Sequence, residues 1–333
     1  MNVLFFTRRV DKDDSRIGFA HRWIEELAKR VDKLYVVCLE KGETDLPENV
    51  EILQLGAGKF RRLLRFDKLM FSLARKVDVI FCHMAPIYTI ISAPYAKLYR
   101  KKLYMWHTHG TVTRKLKMAH SLADGLLTAS EGSVGIRSDK VIPLGHGIDT
   151  NVFRPKKTRH EGLVLITVGR LSPSKRLEIL IRGMADLKKR RRDSKLLIVG
   201  EVPIESQKQY LTGLKGLVSE LGLGENVEFV GPVEYSIIPR YYNNADVFVS
   251  ASSTGSLDKA VLEAMACELS VVVSGKAYRE LSGPVFFESD KDFTSAVEKA
   301  ISQGNGKALR AEVIKGHELG KLMDKIVSIF EKG

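Results

Sequence analysis

The chain alternates short runs of continuous apolar residues with amphipathic stretches. NVLFF opens as a strand, and in DDSRIGFAHRWIEELAKR polar capping residues precede an apolar pattern of helical period. LYVVCLE, VDVIFCH and LYMWHTHG read as strands whose unbroken apolar character suits a parallel sheet covered on both faces. PIYTIISAPYAKLYRKK supplies a helix between the last two. ADGLLTAS and KVIPLGHGI are two more short apolar runs ended by small residues. After NVFRPKKTRHEG the pattern restarts with LVLITVG and continues through KLLIVG, VEFVG, ADVFVSAS and LSVVVS. Strands alternating with helices predict right-handed βαβ units and doubly wound parallel sheets.

The polar segment RPKKTRHE, residues 154–161, is the best linker, giving an N-terminal domain over 1–155 and a second domain over 156–315. Two similar α/β halves would meet at a cleft, and ligands of such sheets bind beyond the carboxyl ends of the strands. In the last helix Leu319, Leu322, Ile326 and Ile329 share one face.

Charge changes this picture. The net charge of +13 implies a polyanionic partner: nucleic acid, an acidic membrane or a charged substrate. Residues 59–76, KFRRLLRFDKLMFSLARK, hold seven Lys or Arg against one Asp. Leu63, Phe66, Leu69, Met70 and Leu73 recur there at helical spacing. Two accounts fit: a solvated helix over the core, or an interfacial helix on anionic lipid headgroups. In the second, Leu63, Phe66, Met70 and Leu73 form the docking face, ringed by Arg61, Arg62, Arg65 and Lys68. KKRRRDSK at 188–195 reads as a solvated turn. No aromatic-rich nucleic-acid signature is present, so no nucleic-acid partner is expected. No apolar run approaches the ~18 residues of a membrane span, and MNVLFFTRR is too short for a signal peptide. Cys38, Cys82 and Cys267 sit apart in apolar runs without metal-ligand spacing, which fits a reducing, cytoplasmic compartment.

Candidate chemistry gathers in the second half. In TVGRLSPSKRLEILI, Arg170 and Lys175 fall in the loop between a strand and a helix. A helix N-terminus presents free N–H groups and partial positive charge, so two added cations make a seat for a phosphate or diphosphate. In STGSLDKAVLEAMACE, Thr254, Gly255 and Ser256 form a tight loop before a helix beginning near Lys259. Glu263 lies one turn into that helix, either as a charge complementing the dipole or as a holder of ribose hydroxyls. In the first half His107 and His109 end a strand and point to the same side. They could be metal ligands, though no third ligand is evident, or structural groups. DKDD at 11–14 has Asp-x-Asp spacing, with capping the better account.

VGRLSPSKRLEILI, LLIVGEVP, VEFVGPV, IPRYYNNADVFVSAS and VLEAMACELSVVVS resemble family 4 glycosyltransferases of the GT-B fold. VIPLGHGIDTNVFRP is similar to that family's strand-turn before the interdomain crossover. The resemblance covers most of 141–281 and implies two Rossmann-like domains, with the last helix (316–333) returning to the first. It implies that Arg170 and Lys175, with Gly255, Ser256 and Leu257, bind the diphosphate of a nucleotide-sugar, and that Glu263 binds its ribose. Gly18 and Phe19 stand where the family's Gly pair approaches the donor phosphates. His107 occupies the place of a His that contacts the transferred sugar, with His109 the fallback. Two departures stand out: Gly255 replaces the first acid of the E-x7-E motif, and Arg176 replaces the Gly after the motif Lys. Asp258 is a partial substitute for the missing acid.

The expected activity is transfer of a sugar from a nucleoside-diphosphate sugar to a lipid-linked or saccharide acceptor, with retention implied by the family. No metal or other cofactor is expected, because the two cations already neutralise the diphosphate. The protein would be cytoplasmic, or peripheral on the inner face of the cell membrane. The competing account is a nucleotide- or nucleic-acid-binding protein of this fold that has lost transfer, with a sugar-nucleotide hydrolase or epimerase as a further variant.

Overall fold

β1 (Asn2–Val10) pairs in parallel with both β2 (Lys33–Lys41) and β4 (Val79–His83). It lies inside a seven-stranded parallel sheet of order β3-β2-β1-β4-β5-β6-β7. The other strands are β3 (Val50–Gln54), β5 (Lys102–Trp106), β6 (Gly125–Thr128) and β7 (Val141–Pro143). A second, six-stranded sheet has the order β10-β9-β8-β11-β12-β13. It comprises β8 (Val164–Val168), β9 (Lys195–Val199), β10 (Val227–Gly231), β11 (Val247–Ser250), β12 (Ser270–Val273) and β13 (Val285–Phe286). All registered pairings in both sheets are parallel, which forces a crossover between successive strands. This computed structural model describes every residue except Arg16, Lys157, Arg159, residues 203–206, Thr254 and Gly333, and leaves the side chain of Lys276 undescribed.

The chain forms two compact units, Met1–Asp149 with His317–Gly333, and Thr150–Gly316. The division falls before the polar linker rather than within it. The physical reason is Arg310, whose guanidinium donates to the carbonyls of Thr150 (3.0 Å), Phe153 (2.9 Å) and Ala266. Phe153 is fully buried with its ring 5.9 Å from that of Tyr242. Residues 150–153 are thus built into the second unit.

In the first unit α1 (Phe19–Ala28) and α11 (Leu319–Lys332) cover one face of the sheet. Leu319, Leu322, Met323 and Ile326 of α11 are buried with Trp23, Ile24 and Leu27 of α1. The last helix therefore belongs to the first unit although it follows the second in the chain. The other face is covered by α2 (Lys59–Leu73), α3 (Pro86–Leu98) and α4 (Arg114–Leu122).

Helix α2 carries two apolar stripes, and the docking face expected from its spacing needs correction. Phe66, Met70 and Leu73 are buried against Leu4, Phe6 and Cys82 of the sheet. The outward stripe is Phe60, Leu63, Leu64 and Phe71, which remain 74%, 55%, 56% and 50% exposed. Positions 60, 64 and 71 repeat at helical spacing on that outer side. Arg62 donates to the Gly56 carbonyl (3.2 Å) and Arg65 to that of Leu55 (3.3 Å), while Arg61 and Lys68 are exposed. No helix among the described residues is long and apolar enough to cross a membrane.

Candidate functional site

Strand order reverses between β8 and β11, so the loops after these two strands diverge and leave a crevice at their carboxyl ends. The loop after β8 carries Arg170, then a 3-10 turn over Pro173–Lys175, then α5 (Leu177–Arg190). The loop after β11 carries Gly255, Ser256, Leu257 and Asp258 ahead of α8 (Lys259–Ala266). Thr254 lies outside the described residues.

Three ties join the two loops. The Lys175 ammonium is 2.7 Å from Asp258 Oδ2. The Ser253 amide and hydroxyl both donate to the Ser174 carbonyl, at 2.9 and 3.1 Å. The Arg176 guanidinium donates to the Ala251 carbonyl (2.8 Å) and to Ser274 Oγ (3.0 Å). Arg176 stands where the family pattern has Gly, and its backbone takes the left-handed conformation that Gly favours, φ 47° and ψ 47°. That strain costs a non-glycine residue about 1–2 kcal/mol. The two side-chain bonds, to the ends of β11 and β12, offset it, which explains how an Arg fits there.

Arg170 is exposed and makes none of the ion pairs found among the described residues. Leu171, its neighbour, donates its amide to the Glu201 carbonyl (2.9 Å) and lines a groove of about 470 Å³ with Gly200, Lys208, Leu211, Phe229 and Pro232. A Cβ on Gly200, where φ is +136°, would sit 1.9 Å from the Gly169 carbonyl oxygen, so only glycine lets the β8 and β9 loops approach this closely. Gly255 is different: φ is +71°, but a Cβ there would meet nothing within 4 Å among the described residues beyond its chain neighbours. Space for the missing acid exists at 255, and Asp258 does not fill it, since its carboxylate is held by Lys175 and by the Tyr278 hydroxyl (2.8 Å).

Glu263 is buried on α8, and the Tyr242 hydroxyl donates to its Oε2 (3.0 Å). Burial pushes the Glu263 carboxyl up, opposed by the Lys259 ammonium one turn before it. The enclosed Lys259 ammonium is pushed down by burial, opposed in turn by Glu263. A carboxylate held by a tyrosine from one side keeps its second oxygen for another donor.

In the first unit the strand order reverses between β1 and β4. Gly18 and Phe19 begin α1 in the segment that follows β1, preceded by a turn in which the Ile17 amide donates to Asp14 Oδ1 (2.8 Å). Asp11 and Asp14 pair with Arg9, at 2.8 and 3.0 Å, so the acidic loop is engaged with its own strand. No group of three His, Cys, Asp or Glu suited to a metal occurs among the described residues. His107 is buried just beyond β5, its Nδ1 unpaired, and burial together with His109 lowers it to about 4. His109 is exposed, and its Nδ1 accepts from the Thr111 amide (3.2 Å).

Sequence reasoning missed Tyr242, Tyr278 and His83. His83, at the end of β4 on the switch point, is buried with its ring 5.0 Å from Trp23 and 5.9 Å from Phe19. The signal for it was available: a His closing the apolar run VDVIFCH, as His107 follows LYMW.

Residues 149–280, most of the second unit, match the family model of glycosyl transferases group 1. The chain is 32% identical over 152 residues to D-inositol 3-phosphate glycosyltransferase 2 of Catenulispora acidiphila, covering 42% of this chain and 36% of that protein. It is 26% identical over 204 residues to alpha-monoglucosyldiacylglycerol synthase of Streptococcus pneumoniae, covering 54% of this chain and 44% of that one. The matches thus span less than half the length of these relatives. Among solved structures, Anabaena HepE in complex with UDP and glucose superposes with a TM-score of 0.78 over 99% of both chains at 18% identity. Sucrose-phosphate synthase of Thermosynechococcus elongatus gives 0.77 over 100% of this chain and 98% of its own, at 17% identity. The architecture is accordingly GT-B, two Rossmann-like units.

Proposed function

We propose that the protein is a glycosyltransferase moving a sugar from a nucleoside-diphosphate sugar to a lipid-linked or saccharide acceptor. The observation that carries this is the placement of Arg170 and Lys175 at the switch point of a group 1 domain, beside the 470 Å³ groove. In this reading Arg170 and Lys175 take the diphosphate, aided by the backbone N–H groups of Gly255, Ser256 and Leu257. Glu263 accepts from a ribose hydroxyl on the oxygen that Tyr242 leaves free. The base enters the groove against Leu171 and Phe229. The first unit's own candidates, Gly18 and Phe19 at the start of α1 and neutral His107 with His109 just beyond β5, lie past the carboxyl ends of that unit's strands. As the glycosidic bond breaks, negative charge develops on the diphosphate, and fixed cations there stabilise it without reorganising.

No divalent metal is required in this account, and the products keep the donor's anomeric configuration. The relatives named for inositol phosphate and for monoglucosyldiacylglycerol support the acceptor class, and the UDP complex supports the donor class. The test is a donor screen by mass spectrometry with purified protein in excess chelator. Slow release of nucleoside diphosphate from one donor is the expected result. Turnover appearing only on addition of magnesium or manganese would overturn the metal-free mechanism.

A lipid acceptor requires docking where the lipid sits, and the outer face of α2 is suited to an anionic bilayer. Phe60, Leu63, Leu64 and Phe71 would enter the interface, with Arg61 and Lys68 beside them. Each basic residue near such a surface contributes about 1 kcal/mol, within a Debye length. Burial of the three cysteine thiols supports a cytoplasmic location on the inner face. Binding to acidic but not neutral vesicles, weakened by salt and by Arg61→Glu with Lys68→Glu, is expected. A wild-type protein that ignores acidic vesicles at low salt would leave α2 an ordinary surface helix.

A further inference from the structure

Lys175 is the more enclosed of the two cations in the phosphate seat, and it already has an anion. Asp258 Oδ2 lies 2.7 Å from its ammonium. The same oxygen accepts from the hydroxyl of Tyr278, a fully buried residue of the 3-10 turn Lys276–Glu280. Side-chain hydrogen bonds to Ser250 and Ser252 anchor that hydroxyl in turn. Asp258 is the N-cap residue of α8, yet its side chain makes no capping bond to that helix. Its carboxylate is given over to Lys175 and Tyr278, from positions 83 and 20 residues away.

A cation paired at 2.7 Å attracts a second anion less, and the carboxylate beside it repels any phosphate that arrives. That repulsion grows with the charge of the ligand. An intact nucleoside-diphosphate sugar carries two negative charges at neutral pH, whereas the nucleoside diphosphate left after transfer carries close to three. We propose that Asp258 is a specificity-determining residue of the phosphate seat: by sharing Lys175 with the ligand, it makes the seat favour the intact donor over the freed nucleoside diphosphate. Tyr278 is the positioning residue, keeping the carboxylate on Lys175 rather than on the start of α8. This rests on the proposed diphosphate role of Arg170 and Lys175. It differs from the expectation that Asp258 replaces the sugar-facing acid missing at Gly255, because its carboxylate is turned to the cation.

Calorimetric titration of wild type, Asp258→Asn, Lys175→Ala and the double variant, with UDP, GDP, their glucose or mannose conjugates and the free nucleosides, tests it. Asp258→Asn should bind the free diphosphate roughly tenfold more tightly, and the conjugate by a distinctly smaller factor, with the nucleoside unchanged. In the Lys175→Ala background Asp258→Asn should still tighten the free diphosphate, since the unpaired carboxylate repels it with no cation to offset that, and Tyr278→Phe should reproduce part of the wild-type gain. Thermal melts confirm that each variant folds. If Lys175→Ala leaves diphosphate affinity unchanged, the seat itself is wrongly placed. If Lys175→Ala weakens binding but Asp258→Asn does not tighten it, or tightens both ligands equally, the seat stands and the discriminating role of Asp258 is refuted. Binding seen only in Asp258→Asn supports the role, and binding in no variant refutes it together with the seat.

Discussion

Gly200→Ala is expected to destabilise the second unit by about 3 kcal/mol or more and to abolish nucleoside-diphosphate binding with it. The added Cβ would lie 1.9 Å from the Gly169 carbonyl oxygen, at a φ of +136° that alanine rarely adopts. Neither neighbour can retreat cheaply, since Gly169 and Gly200 are themselves bonded to Val199 and Gly231 (2.9 and 2.8 Å). The strain passes into the loop that carries Arg170. Gly255→Ala provides the contrast: φ is +71° but the space is open, so only the backbone term remains, about 1–2 kcal/mol. Urea unfolding of both variants checks the difference. A Gly200→Ala protein as stable as Gly255→Ala would contradict the close approach of the two loops.

Acidification should weaken the first unit by several kcal/mol between pH 6.5 and 4. His107 and His317 are each lowered to about 4, principally by burial, then by His109 and by Lys325 respectively. His317 Nδ1 accepts from the His146 amide (3.2 Å), a bond that needs that nitrogen unprotonated. The unfolded chain takes up a proton on each ring as pH falls through about 6.5, while the folded unit resists until about 4. Stability is therefore complete above pH 6.5 and is lost progressively on the acid side. The slope is about 1.4 kcal/mol per pH unit for each histidine, or roughly 3 kcal/mol each over the whole window. Denaturant melts from pH 8 to 4.5 should show this loss, and His107→Asn with His317→Gln should flatten it. Equal slopes in wild type and double variant would remove the two rings as its source.

Much of the fold was legible because a parallel sheet covered on both faces demands unbroken apolar strands, and VLITV, KLLIV and VFVS show them. VEILQ escaped notice because β3 is an edge strand whose residues stay exposed or half-buried. The two-residue β13 carries no periodicity at all. Helix α2 held two apolar stripes in fifteen residues, and nothing local says which one meets the sheet. At the candidate site, the placement of Arg170 and Lys175 in the turn before α5 and of Glu263 on α8 was legible, because strand-loop-helix turns are short in sequence. The partners that set their behaviour were not. Tyr278 reaches Asp258, Arg176 reaches Ala251 and Ser274, and Tyr242 reaches Glu263 only through tertiary packing.

Arg170 and Lys175 are proposed to form a diphosphate seat at the switch point of the second sheet. Calorimetry of UDP and GDP against wild type, Arg170→Ala and Lys175→Ala, with uridine and guanosine as controls, tests it most directly. Charge-assisted bonds of this kind contribute about 1.5–3 kcal/mol each, so each variant should lose ten- to a hundredfold in diphosphate affinity and almost nothing toward the nucleoside. Unchanged diphosphate affinity in both variants would contradict it.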